Sequence, residues 1–164
     1  MRPWFPLLAG TALYAAALLW AATELPPDGV PLHFDASGTP TRFGARAEFL
    51  GLGALFGAIM FLVGAGVYLL VTRGPLTVVN VPHKEYWMHP DRVPRLRRML
   101  AHDMGWTFGA MLAFLAVVPM STVYATREQP PQLPVGPVWI VVGVLVVGIV
   151  GWCVWLTRYR YRPT

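Results

Sequence analysis

Four stretches of this chain, residues 4–23, 49–72, 104–126 and 137–157, contain no Asp, Glu, Lys, Arg or His. Each is long enough, at about 1.5 Å of rise per residue, to cross a hydrocarbon core of about 30 Å as a helix. The pattern therefore predicts four transmembrane helices separated by polar connectors at 24–48 and 73–103. The first run follows Arg2 and has the flavour of a secretory signal, but it is long for one. Trp20-Ala21-Ala22-Thr23 is also a poor cleavage site, so the segment is expected to stay as a helix. The expected fold class is all-α: residues 1–164 form a single membrane domain, a four-helix integral membrane bundle with an extracytoplasmic Pro/Gly-rich loop and a cytoplasmic amphipathic helix.

Within the runs, small residues recur at helical spacing. Gly53 and Gly57 are followed by Gly64 along one face of the second, and Gly105, Gly109 and Ala113 repeat in the third. Lipid removes any hydrophobic drive for helices to associate, so close backbone approach at small residues becomes the main packing device. These stripes are read as the seam of the bundle itself. Pro119 deprives the Leu115 carbonyl of its helical donor and predicts a bend in the third run.

Composition agrees with a bilayer as solvent. Hydrophobic residues make up 55% of the chain and charged residues only 13%, about half the usual soluble share of roughly a quarter. The formal charge of +5 comes from arginines placed beside the apolar runs, which favours anionic lipid as partner and excludes nucleic acid. Ten cations (Arg2; Arg73, Lys84, Arg92, Arg95, Arg97, Arg98; Arg158, Arg160, Arg162) flank one side, against Arg42, Arg46 and Arg127 on the other. The positive-inside rule then puts both termini in the cytoplasm and loop 24–48 outside. The one cysteine, Cys153, sits in an apolar run and builds neither a disulfide nor a thiolate metal site.

In the connectors, Leu25-Pro26-Pro27 ends the first helix, and Val30–Phe34 reads as a short extended piece. Asp35-Ala36-Ser37-Gly38, Thr39-Pro40-Thr41 and Phe43-Gly44 read as three turns. On the other side, Thr77-Val78-Val79 looks extended, and Tyr86 and Trp87 look like rings that settle at headgroup depth. A helix is predicted from Asp91, with Val93, Leu96, Met99 and Leu100 toward one face. Arg92, Arg95 and Arg98 are then turned to anionic headgroups, as in a helix lying on the membrane surface. Residues 127–136 read as a stiff proline-rich connector, and Arg158–Arg162 as a basic anchor for the fourth helix.

These connectors carry a resemblance. Leu25-Pro26, Val30-Pro31-Leu32-His33-Phe34-Asp35, Gly38, Pro40 and Arg42-Phe43-Gly44 with Arg46 resemble the bacterial membrane domain of unknown function at the front of SdpI-type toxin-immunity proteins. Asn80-Val81-Pro82 followed by Glu85-Tyr86-Trp87 is similar to a second motif of short members, in which Asn is common at the position of His83. The resemblance covers roughly residues 5–125. It implies a multi-helix fold in the bacterial inner membrane and, by extension, immunity to a secreted toxic peptide with signalling to a repressor. The SdpI-type proteins continue into a further helical region where this chain has its fourth run and short basic tail.

His33 and Asp35 are the sharpest candidates for chemistry. With Glu24, Asp28 or Glu48 folded against them they would hold a divalent cation or act as acid and base. The plainer expectation is one hydrogen bond from His33, a turn closed by Asp35, and Arg42 or Arg46 paired with an acid. The group His83, Glu85, His89, Asp91, His102 and Asp103 is spread too widely to suggest a site. The leading expectation is a sensor, immunity or accessory protein. Its outer loop (His33, Asp35, Arg42, Arg46) would meet a peptide or another membrane protein, and its inner motif (Asn80, Pro82, Glu85, Tyr86, Trp87) a cytoplasmic regulator. No cofactor is expected. A membrane-interface enzyme or metal-binding protein using His33 is the alternative, and a transporter subunit, lacking ionisable residues inside its spans, comes last.

Overall fold

The computed structural model describes residues 2–163. It is mostly helical, at 71%, and four helices are long and apolar enough to span a membrane. In chain order these are α1 (Phe5–Glu24), α2 (Arg46–Arg73), the pair α4 (Val93–Leu115) and α5 (Val117–Arg127), and α6 (Val135–Trp155). The last continues as a wider turn through Leu156–Arg160. A short helix α3 (Lys84–Trp87) lies between α2 and α4.

Two departures from the expected fold stand out. The connector after α1 folds into an antiparallel hairpin of β1 (Val30–Phe34) and β2 (Pro40–Gly44), with Val30 opposite Gly44 and Phe34 opposite Pro40. Thr41 and Phe43, read as turn residues, are strand residues. Only Asp35–Gly38 turns, because Gly38 adopts a left-handed φ of 85° that closes the loop without a Cβ clash. Secondly, Val93–His102 is no separate surface helix but the first turns of α4. Nothing between His102 and Gly105 interrupts the backbone ladder, so the amphipathic stretch runs straight into the span.

The bundle is seamed by glycine. Gly105 and Gly109 face α1 so closely that a Cβ on Gly109 would overlap the Pro6 carbonyl and one on Gly10 the Gly109 carbonyl. On α2, Gly53 and Gly57 lie under the Leu18 and Tyr14 side chains, and the Tyr14 hydroxyl donates to the Gly53 carbonyl at 2.8 Å. Pro119 acts as its position requires: α4 stops at Leu115 and α5 resumes beyond Ala116.

Buried apolar side chains form three groups along the bundle. Ala21, Leu25, Val30 and Val123 lie under the hairpin, Leu7, Tyr14, Ala17, Leu112 and Ala116 in the middle, and Val71, Leu76, Val81, Trp87, Leu96, Leu100 and Tyr161 at the arginine-rich end. Trp87 and Tyr161 are thus interior residues, not headgroup anchors. Thr77 and Val78 belong to a tight 3-10 turn that tucks Leu76 inward, not to an extended run. The α6 helix differs from the others in having no buried residue at all.

Candidate functional site

At the hairpin end, each expected site residue has a defined partner. Asp35 Oδ1 accepts the Ser37 amide (2.9 Å), the Ser37 hydroxyl (2.6 Å) and the Thr39 amide (2.9 Å). The Ser37 hydroxyl, helped by the Thr39 amide, holds the Asp35 carboxyl below the ordinary carboxylate value. His33 Nδ1 shares a hydrogen bond of 2.7 Å with Thr41 Oγ1 across the strands. Arg42 pairs with Glu48 at the start of α2. Arg46 does something else. Its Nη1 donates at 3.1 Å to the carbonyls of Ala22 and Leu25, closing the open end of α1.

Of the three acids considered as partners for His33, two are engaged elsewhere, Glu48 with Arg42 and Glu24 with Arg127 at 2.7 Å, and Asp28 forms no ion pair among the described residues. Among the described residues, no three of His, Cys, Asp and Glu converge as a metal would require. The hairpin presents a surface instead. Phe43 is 51% exposed, and β2 pairs only with β1, so its outer edge carries no further strand. Beside the turn lies a cleft of about 550 Å³ lined by Ser37, Tyr124, Arg127, Gln132, Leu133 and Val135. The proline-rich connector forms one wall, and its Leu133 amide donates to the Gly38 carbonyl at 2.9 Å. Sequence reasoning missed this wall because its contact with the hairpin joins residues far apart in the chain.

The arginine-rich end contains a polar cluster that no local motif announces. Asp103, fully buried, accepts the Tyr161 hydroxyl at 2.9 Å and Arg160 Nε and Nη2 at 3.2 and 3.3 Å. Trp106 Nε1, which can only donate, reaches His102 Nε2 at 3.2 Å. The imidazole proton is thereby left on Nδ1, facing Asp103 Oδ1 at 3.2 Å. Burial, with the Asp103 charge and hydrogen bond, pushes the Tyr161 hydroxyl well above the ordinary phenol value.

The inner motif packs against this cluster. Trp87 Nε1 donates to the Tyr161 carbonyl at 3.0 Å, and Tyr86 meets Trp87 edge-on with ring centres 5.2 Å apart. Glu85 lies in the same short helix, and Asn80 and Pro82 in the strap before it. His83 adopts a left-handed φ of 55° just ahead of α3, a conformation that Asn tolerates well. Of the arginines expected at lipid headgroups, Arg92 lies over the Tyr86 ring at 3.9 Å and Arg95 over Trp87 at 5.7 Å, while Arg98 is exposed. Arg97 acts at α2 as Arg46 does at α1, donating at 2.9 Å to the Val71 and Gly74 carbonyls at the helix end.

No protein-family model matches the chain, and no solved structure matches it. It is similar to an uncharacterized protein of Archaeoglobus fulgidus, 37% identical over 93 residues. That similarity takes in 52% of this chain, which spans about half (49%) of the length of the relative.

Proposed function

We propose that this is a multi-pass protein of the bacterial inner membrane with both termini cytoplasmic, acting as a sensor, immunity-like or accessory protein. On this reading the hairpin end faces outward and binds a peptide or a segment of another membrane protein. The arginine-rich end, with its Asn80–Trp87 strap, faces a cytoplasmic regulator. The observation that carries the reading is the exposed hairpin with an open strand edge and an adjoining cleft of about 550 Å³. An extended peptide gains main-chain hydrogen bonds at such an edge and side-chain selectivity from such a cleft. The resemblance to SdpI-type immunity proteins, carried by the same hairpin residues, supports the reading.

The test is genetic and direct. A deletion strain should become sensitive to a secreted membrane-active peptide or to envelope stress. The intact gene should restore resistance, and a Phe43→Glu, Gln132→Ala double variant, expressed to the same level, should not. Full restoration by that variant would exclude the hairpin face as the binding surface.

A further inference from the structure

The α6 helix is held to the bundle at its two ends. At one end Leu133, just before it, is bonded to the hairpin; at the other, Trp152 Nε1 donates to Thr107 Oγ1 at 3.1 Å, and Arg160 and Tyr161 close on Asp103. Between these ties α6 stands away from α4 and leaves an apolar fissure of about 720 Å³. Trp106, Ala110 and Phe114 form one wall, and Ile140, Gly148 and Cys153 the other. The void is lined on both sides by protein, unlike the outer faces of the bundle.

The lining of the fissure is apolar on both sides over roughly 20 Å from Ile140 to Cys153, which suits a hydrocarbon chain. Charge decides the headgroup. The end of the fissure at Trp106 and Trp152 opens toward the basic flank. There Arg98 lies one helical turn from His102, and Arg158 follows Trp155, which stacks on Trp152. Both arginines are exposed, and neither forms an ion pair among the described residues.

We propose that the fissure between α4 and α6 is a binding site for one anionic phospholipid. An acyl chain lies between the helices, and the charged headgroup sits against Arg98 and Arg158. This site is independent of the hairpin surface and of the function proposed for it.

The protein itself supplies the probes. Cys153, its one cysteine, lines the fissure, so a trifluoromethyl tag on its sulfur reports occupancy by ¹⁹F NMR. A Cβ at Gly148, which lines the fissure, meets no atom within 4 Å, so Gly148→Phe is the variant chosen to fill the void. Native mass spectrometry of the full chain, given equal phosphatidylglycerol and phosphatidylcholine, should find one phosphatidylglycerol retained per chain. The preference should be roughly tenfold or more, as two arginines near a headgroup supply. Phosphatidylglycerol should shift the ¹⁹F signal of the wild type and not that of Gly148→Phe. An Arg98→Gln, Arg158→Gln variant, altered only at the surface, should keep a lipid and lose the preference. Equal retention of both lipids by the wild type, or an unchanged ¹⁹F signal on adding phosphatidylglycerol, would overturn the proposal. So would a ¹⁹F shift that follows protein concentration without lipid, which would assign the fissure to a second copy of the chain.

Discussion

The two ends of the bundle use the same residue types, arginine, carboxylate and aromatic rings, under opposite solvent conditions. At the arginine-rich end one carboxylate, Asp103, is out of water and accepts from Arg160 and Tyr161. At the hairpin end the carboxylates of Asp35, Glu48 and Glu24 are all solvent-accessible, with Arg42 and Glu48 side chains 62% and 39% exposed. Water screens the second set and competes with every bond in it, whereas nothing replaces a bond lost from the first. Stability therefore resides mainly at the arginine-rich end, and the hairpin end keeps a surface able to bind something else.

Substitutions test that contrast, and the largest effect should come from Asp103→Ala. It leaves Arg160 and the Tyr161 hydroxyl without their acceptor and should cost about 2–4 kcal/mol, toward the lower part because Arg160 is 30% exposed. Unfolding in mixed micelles reads it. A loss under ~0.5 kcal/mol would remove the basis for ranking the two ends. Next, Gly109→Ala drives a methyl group into the Pro6 carbonyl and should cost about 1–3 kcal/mol through separation of α1 and α4.

The matched pair Arg46→Ala and Arg97→Ala sharpens the comparison. Each removes one guanidinium from two carbonyls at a helix end, and each should cost about 1–2 kcal/mol. Similar losses would show that capping is equally valuable at both ends and that the asymmetry lies in Asp103. At the low end, Glu48→Gln should change stability by less than about 1 kcal/mol, since its pair with Arg42 is exposed. Smallest of all is the titration of Asp35. Its folded-state pKa is lowered, so its support for the turn is complete above the ordinary value of 3.8 and fades as pH falls through the lower folded value. Exchange of the Thr39 amide should accelerate only in that acid range. Acceleration near neutral pH would mean that some other group holds the turn.

What was legible in the chain was what one segment decides alone. Freedom from charge over a bilayer's thickness located the four long helices, Pro119 broke the third where its ring displaces the Leu115 bond, and Asp35 with Gly38 closed one turn. What stayed hidden depended on contacts between distant residues. Trp87 and Tyr161, beside arginines, have the composition of interfacial anchors. They are interior because a hydrogen bond spanning 74 positions joins them. Asp103 looked like one acid among scattered polar residues until Tyr161, 58 positions later, reached it. Of Arg42 and Arg46, one was expected to pair with an acid; Arg42 does, while Arg46 caps α1, a division made by where α1 ends in space.

The isolation of α6 has a consequence for how the far end of the chain is held. Helices α1, α2, α4 and α5 pack on one another with no buried residue from α6, yet alone they leave the Asp103 carboxylate without its Arg160 and Tyr161 partners. Without that segment the acid would face only the His102 ring. The C-terminal arm thus works as a clasp: a chain cut before Arg160 should loosen first at that corner, seen as faster amide exchange around Asp103.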